Sequence, residues 1–178
     1  MIYEKFFRKQ PSPAVRRALH IKNKQRALKI KRKMLTEVHI KMGKRAEKAL
    51  MNHMSGYNCA QAVACAFSDL MGMDEKDVFR LAEGFGFGMG SKQVCGAISG
   101  MQMAASCLSS DGDLDDPKTK AKTYKLMREL QQQFIDKNQS IICDELLGGP
   151  GKPKLRSCPG CVEDAANILE KYMEENVK

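Results

Sequence analysis

No stretch of the 178 residues approaches the roughly 18 to 20 apolar positions that would carry a helix across a bilayer. The charged N-terminus also lacks an apolar segment followed by a small-residue cleavage site, so the sequence places the protein in the cytoplasm, with no membrane span. Histidine occurs three times. His20 and His39 lie in or beside a basic stretch, and His53 has no acid or nucleophile at motif spacing. With no nucleophile elbow, P-loop or catalytic carboxylate pair, this scarcity excludes hydrolase and kinase chemistry. No segment alternates as a strand does. That excludes a thioredoxin fold, and it also excludes the βαβ unit that would turn the glycines at 86, 88 and 90 into a dinucleotide site.

Charge is plentiful but unevenly spread. The formal net charge is +9, with residues 1–48 contributing +13 and residues 49–178 contributing −4. Residues 1–41 form a basic arm in which like charges recur at helical neighbour spacing and apolar residues are thinly spread. The expectation is a disordered or loosely helical extension, with Met34 and Met42 as alternative starts of translation. The arm carries no base-reading module, and Tyr3, Phe6 and Phe7 are not interleaved with the charge run. Nucleic acid is therefore not the expected partner.

From residue 42 onward the apolar spacing is helical throughout, which predicts an all-α domain: a small bundle of four to five core helices with a short extra helical turn. Helices are expected at about 44–54, 57–71, from the cap at Asp74 through Leu81, 93–109, and 158–175, with a short turn at 143–147. Asp116-Pro117 reads as a capping acid followed by proline at the first helical position, starting a long helix to about 138. The glycines at 84, 86, 88 and 90 supply backbone freedom ahead of Cys95.

Seven cysteines, at 59, 65, 95, 107, 143, 158 and 161, are many for a chain long enough to build a true core, and their number is odd. Thiols kept for chemistry or metal binding explain this better than structural bridges do. Cys59 and Cys95 fall in expected first helical turns, Cys143 opens the short turn, and Cys158 caps the last helix with Cys161 one turn inside. Free backbone N–H groups at such positions favour thiolate over thiol. Cys65 and Cys107, in mid or late helix among alanine and methionine, read as small buried hydrophobes. Gly96, Gly100 and Ala104 face the way Ala60, Ala62, Ala64 and Ala66 do, on helices that can pack closely and bring Cys59 towards Cys95. The Cys158-Pro159-Gly160-Cys161 motif means a dithiol or two metal ligands.

Five segments together, Gly56 to Val63, Phe85 to Gly90, Cys95 to Gly100, Cys143 to Gly148 and Cys158 to Ala166, resemble the C_GCAxxG_C_C family of redox-active proteins over roughly residues 45–175. The resemblance implies a small helical domain with four characteristic cysteines, often encoded near transporters. Carried over by motif these are Cys59, Cys95, Cys143 and Cys158, with Cys161 the alternative for the last.

Three functions follow. One is thiol–disulfide exchange or electron transfer with an oxidised partner protein, Cys95 or Cys59 attacking and a second cysteine resolving. Another is a binding module in which Cys59, Cys95, Cys143 and Cys158, with Cys161 in reserve, hold an iron–sulfur cluster or zinc. The third is a transporter-associated adaptor with purely structural cysteines.

Overall fold

The computed structural model describes residues 20–26, 29 and 43–176. The chain divides into two units, residues 1–41 and 42–178. In the first, residues 20–26 are helical and exposed. Apart from residue 29, the rest of the basic arm, including the alternative start at Met34, lies outside the described residues, as does Met42.

The second unit is all-α. Its helices are α1 (Lys44–Met54), α2 (Cys59–Ala66), α3 (Glu75–Ala82), α4 (Gly96–Ser109), α5 (Lys120–Asn138), α6 (Cys143–Leu147) and α7 (Cys158–Asn176). Extended pairing among the described residues is confined to one isolated antiparallel bridge, Val94 with Ile142. No helix among them is long and apolar enough to cross a membrane.

Helix α2 is the centre of the bundle because its sequence lets it be buried on every side. All eight of its residues, Cys59 to Ala66, are buried, and α1, α3, α4 and α7 pack around it. Small side chains set how closely those neighbours come. A Cβ added at Gly100 of α4 would lie 2.4 Å from the Ala60 carbonyl oxygen, so glycine is required for the two backbones to meet. Gly100→Ala is therefore expected to lower stability by at least about 1 kcal/mol in urea denaturation. Overpacking against a rigid backbone costs about 1–3 kcal/mol and outweighs the better helix propensity of alanine.

Helix ends are fixed by specific caps. Asn58 closes a capping box on α2: its side chain accepts from the backbone N–H groups of Ala60 and Gln61, and Gln61 reaches back to the Asn58 N–H. The Asp74 side chain caps α3 as expected. The first N–H groups of α1 are satisfied from α7, where Asn167 accepts from Gly43 and the Glu170 carboxylate accepts from Arg45. Two expectations fail. The helix expected over 57–71 runs only from Cys59 to Ala66. Helix α5 starts at Lys120 rather than at Pro117, because the Asp113 carboxylate captures the N–H groups of Asp115 and Asp116 and folds that segment into a turn of its own.

The loop entering α7 is held by a buried charge. Asp164 is fully buried, with Arg156 Nε at 2.8 Å from Oδ2, Arg156 Nη2 at 3.0 Å from Oδ1 and Lys137 Nζ of α5 at 2.6 Å. Compensated on three sides, this carboxylate joins α5, the loop and α7 at the end of the bundle where Cys158 and Cys161 sit.

Candidate functional site

Four helices begin at one place. Cys59 is the first residue of α2, Cys143 of α6 and Cys158 of α7, and Cys95 is the residue that caps α4. Cys95 and Cys143 are brought side by side by the isolated bridge: the Cys95 N–H donates to the Ile141 carbonyl at 2.8 Å and the Cys143 N–H to the Gln93 carbonyl at 2.7 Å. Ser157 accepts from the Gly160 N–H through its hydroxyl and from the Cys161 N–H through its carbonyl, which starts α7 with both motif sulfurs on its first turn.

These cysteines line one half-open cavity of about 200 Å³ together with Cys161, His53, Asn58, Phe87, Leu146 and Leu147. Cys59, Cys95, Cys143 and Cys161 are each 5 % exposed or less, and Cys158 is half-buried. The sequence leaves open whether Cys158 or Cys161 completes the set; both line the cavity.

The cysteines act on one another electrostatically: Cys158 is the neighbour that most lowers Cys59, and Cys161 the neighbour that most lowers Cys95. With the Cys158 hydrogen bond as the main cause, helped by the Phe87 N–H and by His53, Cys59 falls from 9.0 to about 6 in spite of its burial. Cys95 is lowered by the Cys161 hydrogen bond first, then by the N–H groups of Ala97 and Ile98 at the start of α4. The donors shift the other way, and Cys158 and Cys161 are both raised well above 9.0. Cys143 rises to about 11, through burial and then the charges of Cys95 and Cys59. At neutral pH Cys59 is therefore largely thiolate, while Cys143, Cys158 and Cys161 stay protonated.

Glycines make room for this. A Cβ on Gly96 would lie 2.5 Å from Cys59 Sγ and 2.7 Å from the Phe85 carbonyl oxygen. One on Gly88 would lie 2.8 Å from Cys143 Cβ. The glycine-rich segment departs from the expectation in one respect: the left-handed backbone runs through Phe87 (φ 52°), Gly88 (61°), Met89 (57°) and Gly90 (71°), whereas Gly84 and Gly86 are not left-handed. Two non-glycine residues in that region cost about 1 kcal/mol each or more. The turn they form brings the Phe87 N–H to Cys59.

A model of the family described as "Putative redox-active protein (C_GCAxxG_C_C)" matches residues 57–172, more than half of the chain. The chain belongs to this family. Neither a curated relative nor a solved structure matches it. All five cavity cysteines fall inside the family match; His53 falls outside it, on α1.

His53 is the residue that sequence reasoning missed. Its Nε2 lies 3.3 Å from Cys158 Sγ, across 105 positions of chain, so no local motif could have shown the pair. Cys65 fits its reading as a small buried hydrophobe: it is buried against Ala60, Ala64 and Val78, and burial raises it to about 11. Cys107 does not, for it is exposed, with Sγ 3.5 Å from the Met71 carbonyl. Among the described residues no group of three or more His, Cys, Asp or Glu side chains is gathered tightly enough to hold a metal ion as it stands.

Proposed function

We propose that the protein is a thiol–disulfide redox protein whose attacking group is the Cys59 thiolate and whose resolving group is Cys158. The observation that carries this reading is the one cavity that Cys59 and Cys158 line from two helix starts, with Cys59 lowered to about 6. In the first step Cys59 attacks one sulfur of an oxidised disulfide, forming a mixed disulfide and expelling the other sulfur as thiolate. Cys158 then attacks the Cys59 sulfur, and its proton passes to the second leaving thiolate. The substrate gains two electrons and the Cys158 proton, its first thiolate takes a second proton from solvent, and the protein holds a Cys59–Cys158 disulfide. His53, beside Cys158, is placed to assist that proton's departure. A reducing compartment such as the cytoplasm suits a resting state of free thiols.

The cysteines are also soft donors, and Cys59, Cys95, Cys143, Cys158 and Cys161 are the residues that a cluster or zinc would use. The lowered pKa of Cys59 favours exchange.

The test is anaerobic purification followed by a visible spectrum, a metal assay and a free-thiol count before and after mild oxidation. A colourless protein that loses thiols reversibly in pairs, with Cys59 joined to Cys158 on mapping, is the expected result. Brown colour or about one equivalent of metal, abolished by Cys95→Ser, would replace this reading with the metal-binding one.

A further inference from the structure

We infer that the oxidant admitted to the cavity is a small, uncharged disulfide with short arms, rather than glutathione disulfide or a disulfide held in a protein chain. The inference rests on the thiol–disulfide reading and names the class of substrate that the same site takes.

The wall of the cavity offers nothing to a charge. Beside the five cysteines, the described residues that form it are Phe87, Leu146, Leu147, Asn58 and His53, none of which carries a carboxylate, an ammonium or a guanidinium. Its two polar side chains are already engaged. Asn58 Oδ1 accepts from the Ala60 and Gln61 N–H groups and Nδ2 donates to the Glu83 carbonyl at 2.9 Å, while His53 Nε2 lies 3.3 Å from Cys158 Sγ. Asp144, next to Cys143 in the chain, is paired with Lys92 at 3.2 Å. A charged arm would therefore leave water without gaining a counter-ion from this wall, and an unpaired buried ion is costly.

Size and reach narrow the class further. The volume of about 200 Å³ falls below the roughly 300–1,000 Å³ of sites that enclose drug-sized ligands, and it cannot hold the two joined tripeptides of glutathione disulfide. Cys59 is 5 % exposed and Cys158 half-buried, so the substrate's S–S bond must come inside to meet them. A disulfide fixed in a folded chain cannot follow. Phe87 suits the small apolar guest: it lines the cavity yet is 55 % exposed, and its left-handed backbone (φ 52°), strained for a residue with a Cβ, holds the ring there. With a disulfide RSSR, Cys59 bonds to one sulfur and expels RS⁻, which takes a proton from solvent. Cys158 then bonds to the Cys59 sulfur and expels the second RS⁻, which takes the Cys158 proton. RSSR is reduced by two electrons to two RSH, and the protein is oxidised to the Cys59–Cys158 disulfide.

The test uses the full-length protein carrying Cys107→Ser, which removes the exposed thiol. Reduced and anaerobic, it is mixed with bis(2-hydroxyethyl) disulfide, cystamine, 3,3′-dithiodipropionate, glutathione disulfide or insulin, and thiol loss is followed by quenched alkylation and mass spectrometry. Each rate is divided by that of the same disulfide with 2-mercaptoethanol, which removes the reagent's own reactivity. The neutral reagent is expected to exceed each of the others by at least about fivefold, the low end of the cost of burying an unpaired polar group. A ratio below fivefold against any of them would overturn the inference and leave the thiol–disulfide reading standing. Thiol loss with none of the five would overturn both. Leu147→Lys, which puts an ammonium into the wall, is expected to raise the normalised rate with dithiodipropionate by at least about fivefold, and Leu147→Gln is not. A Leu147→Lys protein that is folded by far-UV circular dichroism yet treats dithiodipropionate as Leu147→Gln does would also overturn the inference. Should that variant misfold, the comparison of the five reagents decides alone.

Discussion

Alkylation of Cys59 by iodoacetamide in the reduced protein is expected to titrate with a midpoint near pH 6, about three units below an ordinary thiol. At pH 7 an unperturbed thiol near pKa 9 is about 1 % ionised, whereas Cys59 is about 90 % ionised. A more stable thiolate is a weaker nucleophile. With a Brønsted slope of about 0.45, three units cost about twentyfold in intrinsic reactivity. The net advantage is about fourfold at pH 7 and about twentyfold at pH 6, so the signature is clearest in mild acid. Cys158→Ala removes the hydrogen bond that is the largest cause of the shift and leaves burial to oppose ionisation, so the midpoint should climb by more than a unit. Cys158→Ser, which keeps an O–H donor, should move it less. An unchanged midpoint in the alanine variant would show that Cys158 is not the group responsible.

The same shift has a thermodynamic face. Between the folded value of about 6 and the ordinary value of 9.0, the unfolded chain holds a proton at Cys59 that the folded one has released. Stability from this group is therefore fully present above about pH 9 and is lost as the pH falls through about 6. Cys143 acts in the opposite sense. Its folded value of about 11 lies above the ordinary value, so its contribution is present below pH 9 and fades as the pH rises towards 11. Melting temperatures of the reduced protein should accordingly rise from pH 6 towards neutrality and decline in strong alkali.

Gly96→Ala is expected to have the largest effect of any single methyl group added to the protein. The new carbon would lie 2.5 Å from Cys59 Sγ and 2.7 Å from a backbone carbonyl oxygen, so neither neighbour can be avoided by rotating one flexible side chain. The cost in stability should be about 2–3 kcal/mol by urea denaturation, in the upper part of the overpacking range. Displacement of the Cys59 sulfur should also loosen its hydrogen bonds to Cys158 and Phe87, raising the alkylation midpoint. A variant as stable as wild type, with its midpoint still near 6, would mean that the α2–α4 contact is looser than the structure has it.

Much of this architecture is legible in the sequence because its signals are local. Asp74 caps α3, and the spacing of Gly100 against Ala60 announces a tight helix pair; both can be read from neighbouring residues. The placement of cysteines at helix starts is equally local, and Cys59, Cys95, Cys143, Cys158 and Cys161 all line one cavity. What stays hidden depends on how distant helices cross. His53 meets Cys158 only because α1 lies along α7. Backbone strain at Phe87 and Met89 was hidden for another reason: glycine draws attention to itself, and the left-handed turn continues through the residues between. At Pro117 a genuine helix-start signal lost to a competing one, the Asp113 turn immediately upstream.

Cys59 and Cys158 are 99 positions apart in the chain. Only the finished bundle gives them a high effective concentration for each other, so the fold is the template on which a disulfide would close. By the same reciprocity a closed Cys59–Cys158 link would hold the template together, removing about 4–5 kcal/mol of chain entropy from the unfolded state. Oxidation and resistance to unfolding would then be one equilibrium viewed from two sides, and an electron-poor molecule would outlast an electron-rich one under proteolysis.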